Sequence, residues 1–439
     1  MKILPHSRLG WIRLSLLAAV PVGIFLWFYF RVLYMPGSSF TGPLPPLDEE
    51  TREVLTRLET HVTKLATEIG PRNLAHPGSL EASLQYMGRV FEEIGYATAT
   101  QEYDVGNNVV ANLDAEKGGG SRKDEIVLVG AHYDTQTNAP GANDNGTGVA
   151  GALEIARLLA PRNFERTIRF VAFVNEEPPY FHKPVMGSVV YSHRCRERNE
   201  NIVAAIVLET IGYYSDERGS QQYPTPYNLL YPSRGNFIGF IGNSTSGPLV
   251  RRCIGLFRKN ARFPSEGIVA PDNIPDAGWS DHWSFWQEGY PAIMVTDTAL
   301  YRYTYYHTQE DTPDKVDFEK TARVVVGLAE TVAGLAGEEK LKPQAVRRWR
   351  LGASLLQQLP TEDESSPSSR EIAGLPRVPL KGYRFPHGRR DGPDAHRAYP
   401  RLGEATRAAG CLLVARDHRP SGRNPHGSDD RPRASPTWR

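Results

Sequence analysis

Cysteine is scarce in this chain, with three among its 439 residues. A disulfide framework needs a larger and even set, so we interpret Cys195 and Cys253 as simple thiols. An excess of one charge is also lacking, because 51 Lys and Arg face 50 Asp and Glu, for a formal net charge of +1. This balance gives no reason to expect nucleic acid as a partner.

Long apolar runs are lacking except near the amino end, where seventeen uncharged residues extend from Leu14 to Phe30. As a helix they span roughly 25 Å at about 1.5 Å per residue, near the lower limit for a bilayer core. Positive charge precedes the run at Lys2, Arg8 and Arg13. This pattern predicts a membrane helix with its amino terminus in the cytoplasm and the rest of the protein outside.

A cleaved signal peptide, which would make the protein secreted, is the alternative interpretation of this run. A small-x-small cleavage site is lacking, since bulky residues occupy the expected place from Phe30 to Tyr34. We therefore predict a cytoplasmic stub and uncleaved signal-anchor over residues 1–34. A linker rich in Pro, Gly and Ser should follow over residues 35–49.

Hydrophobic periodicity is lacking at the other end of the chain, beyond about Glu338. Arg, Pro, Gly, Ser and Asp dominate there. Such a composition cannot bury enough apolar surface to offset the entropy lost on ordering. We predict a disordered, Arg/Pro-rich tail over residues 338–439 and one folded domain over residues 50–337.

Within that domain, short β-branched runs alternate with amphipathic segments. The runs Ile126–Gly130 and Ile168–Val174 are typical of buried parallel strands, and Gly151–Leu159 between them is typical of a crossover helix. Ala97–Tyr103 and Asn108–Leu113 favour antiparallel strands, and Phe318–Leu335 a closing helix. The alternation predicts an α/β three-layer sandwich with a mixed, mostly parallel central sheet.

Metal-ligating side chains follow several of these predicted strands. They are two imidazoles and three carboxylates: His132, Asp144, Glu177, Glu209 and His307. The carboxyl ends of neighbouring parallel strands meet at one edge of a sheet, so these groups should lie together. They suffice for two zinc ions if one carboxylate bridges the pair.

Each of these residues alone has an ordinary structural explanation, such as a hydrogen-bonded histidine or a solvated acidic loop. Several strand ends that all terminate in ligand types are hard to explain in that way. Charge agrees with a two-metal site, because the charges of two zinc ions, three carboxylates and one hydroxide balance. Glu176, beside Glu177, would remain free to take a proton from the water.

A series of motifs in fixed order carries a resemblance to a known family. The motifs are H-Y-D, P-G-A-N-D-N-G-T-G, N-E-E, L-E-T, S-D-H-W-S-F and Y-H-T-x-E-D-T. They resemble the di-zinc exopeptidases of clan MH, metallopeptidase family twenty-eight, which includes bacterial leucyl aminopeptidase and aminopeptidase Y. The resemblance covers roughly residues 61–335 and implies the phosphorylase/hydrolase-like fold of zinc-dependent exopeptidases.

The resemblance also implies roles for individual residues. His132 and Glu209 would bind one zinc ion, Glu177 and His307 the other, and Asp144 would bridge them. Glu176 would be the general base while a metal-bridging hydroxide attacks a peptide bond. Asp134 would orient His132, and the Asp144–Asn145 bond would be cis. Many family members carry Asp where this chain has Glu209.

Several side chains near these motifs have two open interpretations. Tyr306 either donates a hydrogen bond to the developing oxyanion or packs beside His307. Asp281 would position groups behind the metals. The loop aromatic residues form either a specificity pocket or part of the core: Trp279, Trp283, Trp286, Tyr213, Tyr214, Tyr301 and Tyr303.

The motifs predict a di-zinc metallo-exopeptidase, in the first place an aminopeptidase, that acts on peptides. One alternative is a glutaminyl cyclase, which uses a related ligand set with one zinc ion. Another is a binding ectodomain of the same fold without catalysis. Metal content and activity on amino-terminal Gln peptides distinguish the three, and the oligomeric state stays open.

Overall fold

A mixed β-sheet of eight strands forms the centre of the protein, in the order β1-β2-β4-β3-β5-β8-β6-β7. The computed structural model describes residues 7–225, 227–270 and 274–338. The strands are β1 Ala97–Val105, β2 Asn108–Lys117, β3 Arg122–His132, β4 Arg166–Phe173, β5 Asn201–Glu209, β6 Ile238–Gly242, β7 Ser265–Val269 and β8 Ala292–Thr296. Strands β4, β3, β5 and β8 are parallel neighbours, whereas β1, β2 and the β8–β6 pair add antiparallel contacts.

The chain has helices on both faces of this sheet and one helix, Arg8–Phe28, that buries none of its residues and precedes the sheet. They are α1 Arg8–Phe28, α2 Glu49–Thr63, α3 Pro77–Glu93, α4 Gly148–Leu159, α5 Gly187–Glu197, α6 Gly247–Asn260, α7 His282–Gln287, α8 Ala299–Arg302 and α9 Phe318–Ala336. Alternate residues of a strand point to opposite faces. On β3, Val127 and Val129 therefore join the larger core beneath α2, α4, α6 and α9, while Ile126 and Leu128 join a smaller one beneath α5 and α7. The predicted three-layer sandwich is confirmed.

The amino-terminal helix is long and apolar enough to cross a membrane, judged by length and composition. A π-helical turn over Tyr29–Leu33 follows it. The next residues, 34–46, which we call the arm, lie against the domain. The Arg258 guanidinium donates to the carbonyls of Pro36 and Gly37 at 3.2 Å, and Met35 is buried in the larger core.

Two features differ from the sequence predictions. The apolar spacing over Leu80–Ile94 predicts a helix with Ser79 as its N-cap. Helix α3 begins earlier, at Pro77, because proline is well suited to the first turn of a helix. Strand β7 was not predicted, since its five residues include Gly267 and are short of apolar side chains. The predicted tail lies outside the described residues, apart from Glu338.

Candidate metal centre

The predicted ligands lie at the carboxyl ends of the central parallel strands. His132 and Glu209 are the last residues of β3 and β5, and Glu177 follows β4 after four residues. Asp144 lies in the turn that leads into α4, and His307 in the loop after α8. Five residues that are far apart in the chain thus meet at one edge of the sheet, as the sequence predicts.

The first group of ligand atoms gathers at the end of β3. The His132 Nε2 atom lies 3.4 Å from Asp144 Oδ1 and 3.3 Å from Glu209 Oε2. All three side chains are buried. A single cation would therefore reach three ligand atoms here.

The second group gathers on the other side of Asp144. His307 Nε2 lies 3.1 Å from Asp144 Oδ2 and 3.2 Å from Glu177 Oε2. The two oxygen atoms of Asp144 therefore face different groups, which is the arrangement of a bridging carboxylate.

The spacing and the lack of other partners both fit zinc. Two ligand atoms that are each about 2.0–2.1 Å from a tetrahedral ion lie roughly 3.3–3.4 Å apart. Within the described ranges, His132 Nε2 and the carboxylate oxygens of Asp144 and Glu177 are buried and have no hydrogen-bond partner. Buried polar atoms are rarely left unsatisfied, so these residues fit bound metal ions.

Four carboxylates crowd this buried site: Asp144, Glu176, Glu177 and Glu209. In the part of the chain that the structure describes, their ion-pair partners are histidines and never Lys or Arg. Burial and the neighbouring carboxylates raise the pKa of Glu176 well above its usual range, and that of Glu177 to about 7. Divalent cations would relieve this repulsion.

Burial alone would lower the pKa of both ligand histidines. Glu209 and Glu176 outweigh burial at His132 and raise its pKa well above its usual range, and Asp144 and Glu177 raise the pKa of His307 to about 10. The carboxylates therefore hold protons on the imidazoles that metal ions would replace.

Asp134 organises this centre in a way that the sequence did not fully predict. Its carboxylate accepts from the backbone N–H groups of Glu176 and Glu177, each at 3.1 Å. His132 Nδ1 contacts the Asp134 backbone carbonyl at 3.1 Å, while the carboxylate lies 3.6 Å away. Since a carbonyl can only accept, the proton of neutral His132 lies on Nδ1 and its Nε2 lone pair faces the ligands.

The backbone around Asp144 is held by residues without a predicted role. Asp311 accepts from the backbone N–H groups of Asn143 and Asp144 at 2.8 and 3.0 Å. Asn145 donates to the Leu208 carbonyl at 2.8 Å. The Asp144–Asn145 peptide bond is cis, as the resemblance implies.

Arg72 fixes the loop between β3 and Asp144. Its guanidinium is fully buried and donates to backbone carbonyls, among them those of Tyr133 at 2.7 Å, Pro140 at 2.8 Å and Gly141 at 2.9 Å. Burial lowers the pKa of Arg72 to about 10, so the side chain stays charged at neutral pH. The signal for Asp311 was its place inside the motif Y-H-T-x-E-D-T, whereas Arg72 lies only within the residues that the resemblance covers. Neither signal specifies backbone contacts.

The segment from Ser280 to Asp281 also reaches the centre, and the positioning role of Asp281 stays a prediction. Ser280 Oγ donates to Glu209 Oε2 at 2.6 Å and so holds a ligand. Asp281 is fully buried, and its oxygens have no hydrogen-bond partner among the described residues. Burial raises the pKa of Asp281 to about 7.

Tyr306 stacks on the ligand His307, with ring centroids 3.8 Å apart. Its hydroxyl has no hydrogen-bond partner within the residues that the structure describes, and burial raises its pKa well above the usual range. The phenol therefore keeps its proton beside the ligands. The Tyr306 ring therefore packs beside His307, and its hydroxyl is available as a hydrogen-bond donor.

Two clefts adjoin the ligands. The apolar cleft, of about 480 Å³, begins at Glu209 and Tyr306 and is walled by Ile241, Trp279, Met294, Leu300 and Tyr301, among others. The polar cleft, of about 720 Å³, begins at Glu177 and Asp134 and includes Asn73, Asn108 and Tyr180. Among the described residues, no Lys or Arg lines either cleft. Of the loop aromatics, Trp279 and Tyr301 line the apolar cleft, whereas Tyr214 and Tyr303 are buried.

The sequence matches a known peptidase family and several of its relatives. The profile of peptidase family M28 matches residues 108–332, just over half of the chain. Uncharacterized protein YfbL of Escherichia coli K12 is 36% identical over 281 residues, which cover 62% of this chain and 85% of YfbL. Aminopeptidase YwaD of Bacillus subtilis is 51% identical over 229 residues, 51% of this chain and 44% of YwaD.

Solved structures share the fold. BSAP, a zinc aminopeptidase from Bacillus subtilis, aligns with a TM-score of 0.54 and 16% identity over 66% of this chain and 96% of BSAP. A glutaminyl cyclase from Bacteroides thetaiotaomicron aligns with a TM-score of 0.50 and 18% identity over 68% of this chain and all of the cyclase. Since both identities are low, these likenesses concern the fold alone.

Proposed function

The chain belongs to peptidase family M28 and is a zinc-dependent metallopeptidase, and we propose that it is an aminopeptidase with two zinc ions. His132 and Glu209 would hold one ion, Glu177 and His307 the other, and Asp144 both. The observation that carries the proposal is the division of the two Asp144 oxygens between the two ligand groups, at 3.4 Å from His132 and 3.1 Å from His307.

Zinc, when bound, supplies a Lewis acid for the scissile carbonyl and makes a water molecule acidic. Glu176 is the proposed general base. Its Oε2 lies 3.9 Å from His132 Nε2, inside the site but outside both ligand groups. The carboxylate accepts a proton from the attacking water and passes it to the leaving amine. The Tyr306 hydroxyl donates to the oxygen on which negative charge develops.

The charges at the site favour the amino end of a peptide over its carboxyl end. With zinc bound, the ligand carboxylates are neutralised, and Glu176 remains as a carboxylate that a cationic amino terminus can meet. A carboxypeptidase needs a cation for the terminal carboxylate, usually a bidentate arginine. Neither cleft has a lysine or arginine among its described lining residues. The apolar cleft then suits the side chain of the amino-terminal residue.

The two alternative functions have weaker support. A single-zinc cyclase leaves one of the two ligand groups unexplained, and a binding ectodomain leaves both unexplained. The fold likeness to a glutaminyl cyclase does not distinguish between cyclase and peptidase, because the peptidases share the same fold.

We propose that α1 anchors the enzyme in a membrane, with the catalytic domain outside the cytoplasm. The positive residues Arg8 and Arg13 precede or begin the apolar span, and cytoplasmic flanks are usually the positive ones. Peptides outside the cytoplasm would then be the substrates.

Hydrolysis of leucyl-4-nitroanilide by the full-length protein with added zinc tests this function. We expect turnover with the free amine and at least a hundredfold loss when the amine is acetylated. Chelation should abolish the activity, and about two equivalents of zinc should restore it. Equal cleavage of the acetylated substrate, or cyclisation of amino-terminal Gln peptides instead of hydrolysis, would contradict the proposal.

A further inference from the structure

A large cavity with aromatic walls lies beyond the apolar cleft. It lies between β6, β7 and the irregular loop after Tyr213 and is open to solvent, and we call it the aromatic cavity. Its walls include Tyr223, Tyr227, Tyr231, Phe240, Ile268 and Tyr301. Concave sites with mainly aromatic and aliphatic walls are typical of small-molecule binding, so the aromatic cavity suits an apolar ligand.

The aromatic cavity lies beside the apolar cleft. Ile241, Asp276, Thr298 and Tyr301 line both spaces. The apolar cleft in turn includes the ligand Glu209. An alkyl chain that extends from the metal ligands through the apolar cleft would therefore meet these shared residues next.

The side chains that line the aromatic cavity favour a hydrocarbon ligand. Among the described lining residues, the charged side chains are Glu266 and Asp276, and Asp276 already accepts a hydrogen bond from the Tyr301 hydroxyl. The remaining walls are mainly aromatic rings and aliphatic carbon. A leucine or phenylalanine side chain would occupy the nearer cleft, whereas an unbranched alkyl chain is long enough to enter both spaces.

The membrane helix joins the domain at this same place. Arg251 donates to the carbonyls of Phe30 and Arg31 at 2.9 and 2.8 Å, where the apolar span ends. Met35 packs on Gly267 of β7, with its sulfur 3.0 Å from where a Cβ would lie. Strand β7 therefore contacts the arm and also forms a wall of the aromatic cavity.

Two exposed apolar side chains lie in the chain between Tyr227 and Tyr231, which line the aromatic cavity. They are Leu229 and Leu230, which are 79% and 46% exposed. Large apolar side chains in water are unfavourable, but they gain free energy in a lipid interface. Their exposure fits a loop that touches the membrane in which α1 is anchored.

We propose that the aromatic cavity binds the alkyl chain of a lipid-modified peptide whose amino-terminal residue is presented from the membrane surface. Removal of that residue rests on the proposed aminopeptidase function, but binding of the chain does not. The bound peptide places its free amine at the ligands and its side-chain alkyl group in the apolar cleft and the cavity.

A chain-length series tests the proposal with the full-length protein in phospholipid nanodiscs. The substrates are peptides that begin with lysine acylated at Nε by acetyl, octanoyl or palmitoyl groups, and an alanyl peptide is the reference. Each buried methylene favours binding about fourfold. We expect kcat/KM to rise at least tenfold from acetyl to octanoyl, and no dependence on chain length would overturn the proposal.

Substitutions of Ile268 test whether the alkyl chain binds in the aromatic cavity. Ile268→Trp fills the cavity and should remove the rise of kcat/KM with chain length. Ile268→Ala enlarges the cavity and should keep this rise. Both variants should hydrolyse the alanyl peptide as the unmodified protein does, because Ile268 is not among the residues that line the cleft at the ligands. If kcat/KM of Ile268→Trp still rises with chain length, the alkyl chain does not bind in the aromatic cavity.

Photo-crosslinking gives a measurement that does not depend on zinc or turnover. In zinc-free protein, a lysyl peptide with a diazirine at the end of its acyl chain should label residues 221–241 and 265–270. The palmitoyl peptide should compete, and the acetyl peptide should not. Labelling only of α1 would refute the alkyl site even if alanyl hydrolysis persists. Correct labelling without any hydrolysis would instead refute the proposed function and keep the site.

Discussion

At the scale of single residues, the centre depends on contacts to the backbone as much as on the ligands. Asp134 binds the amides of Glu176 and Glu177, and Asp311 binds those of Asn143 and Asp144. These carboxylates are acceptors that fix loops, so the ligands are positioned before any metal arrives.

The ligand types and the pair Glu176 and Glu177 could be predicted from the sequence because each follows a recognisable strand. The contacts that Arg72, Ser280 and Asp311 make at the centre could not be predicted from the sequence. Their contacts are to carbonyls, to one carboxylate and to amides that become neighbours only when distant loops meet, and no local pattern records such contacts.

Tyr306→Phe separates the two interpretations of this residue. The ring stays stacked on His307, but the hydroxyl is lost. We predict that kcat falls about 10²–10³-fold, the usual effect of removing an oxyanion donor, while zinc content and KM stay nearly unchanged. Steady-state kinetics with metal analysis measures both, and an unchanged kcat would reduce Tyr306 to a packing role.

Arg72→Met leaves several buried carbonyls without a donor. We predict that the free energy of unfolding falls by about 3 kcal/mol or more, because unsatisfied buried groups carry the full cost of desolvation. Urea denaturation of the zinc-free protein measures this. Arg89→Met, on the exposed side of α3, is the matched control and should change stability by at most about 0.5 kcal/mol. Equal effects of the two substitutions would show that Arg72 does not hold the loop.

At the scale of elements, hydrophobic pattern predicted the strands and helices that are long or strongly apolar. The predicted run Ile168–Val174 overlaps β4, and α9 ends one residue beyond its predicted bound. Strand β7 was not predicted because its own sequence has few apolar side chains. Its pairing with β6 and its contact with Met35 stabilise it instead. Tertiary contacts override local propensity in such short edge strands.

The arm behaves as an element of the domain, although a linker was predicted there. Arg258 contributes several hydrogen bonds, to Pro36 and Gly37 on one side and to Ser265 on the other. We predict that Arg258→Ala speeds chymotrypsin cleavage after Phe40 about tenfold, since the loss of a few hydrogen bonds costs roughly 1–2 kcal/mol. Arg262→Ala, at an exposed position nearby, is the control and should leave the rate unchanged. A rate unaffected by Arg258→Ala would mean that the arm is held elsewhere.

At the scale of the whole molecule, we propose that α1 and the arm together hold the catalytic domain close to a membrane. Membrane fractions washed with alkaline carbonate should retain the protein, because an apolar span of this length inserts rather than adsorbs. External protease should reach the domain in intact cells. A mature soluble protein that begins after Tyr34 would instead indicate a cleaved signal peptide.

Metal content and turnover of two neighbouring variants test the central claim most directly. Glu176→Gln keeps size and hydrogen bonding but cannot accept a proton, so the account predicts two zinc ions per chain and a kcat lowered about 10²–10⁴-fold. Glu177→Gln removes a ligand charge and should lose zinc. If Glu176→Gln stays active, or loses zinc as fully as Glu177→Gln, the roles assigned to this pair are wrong.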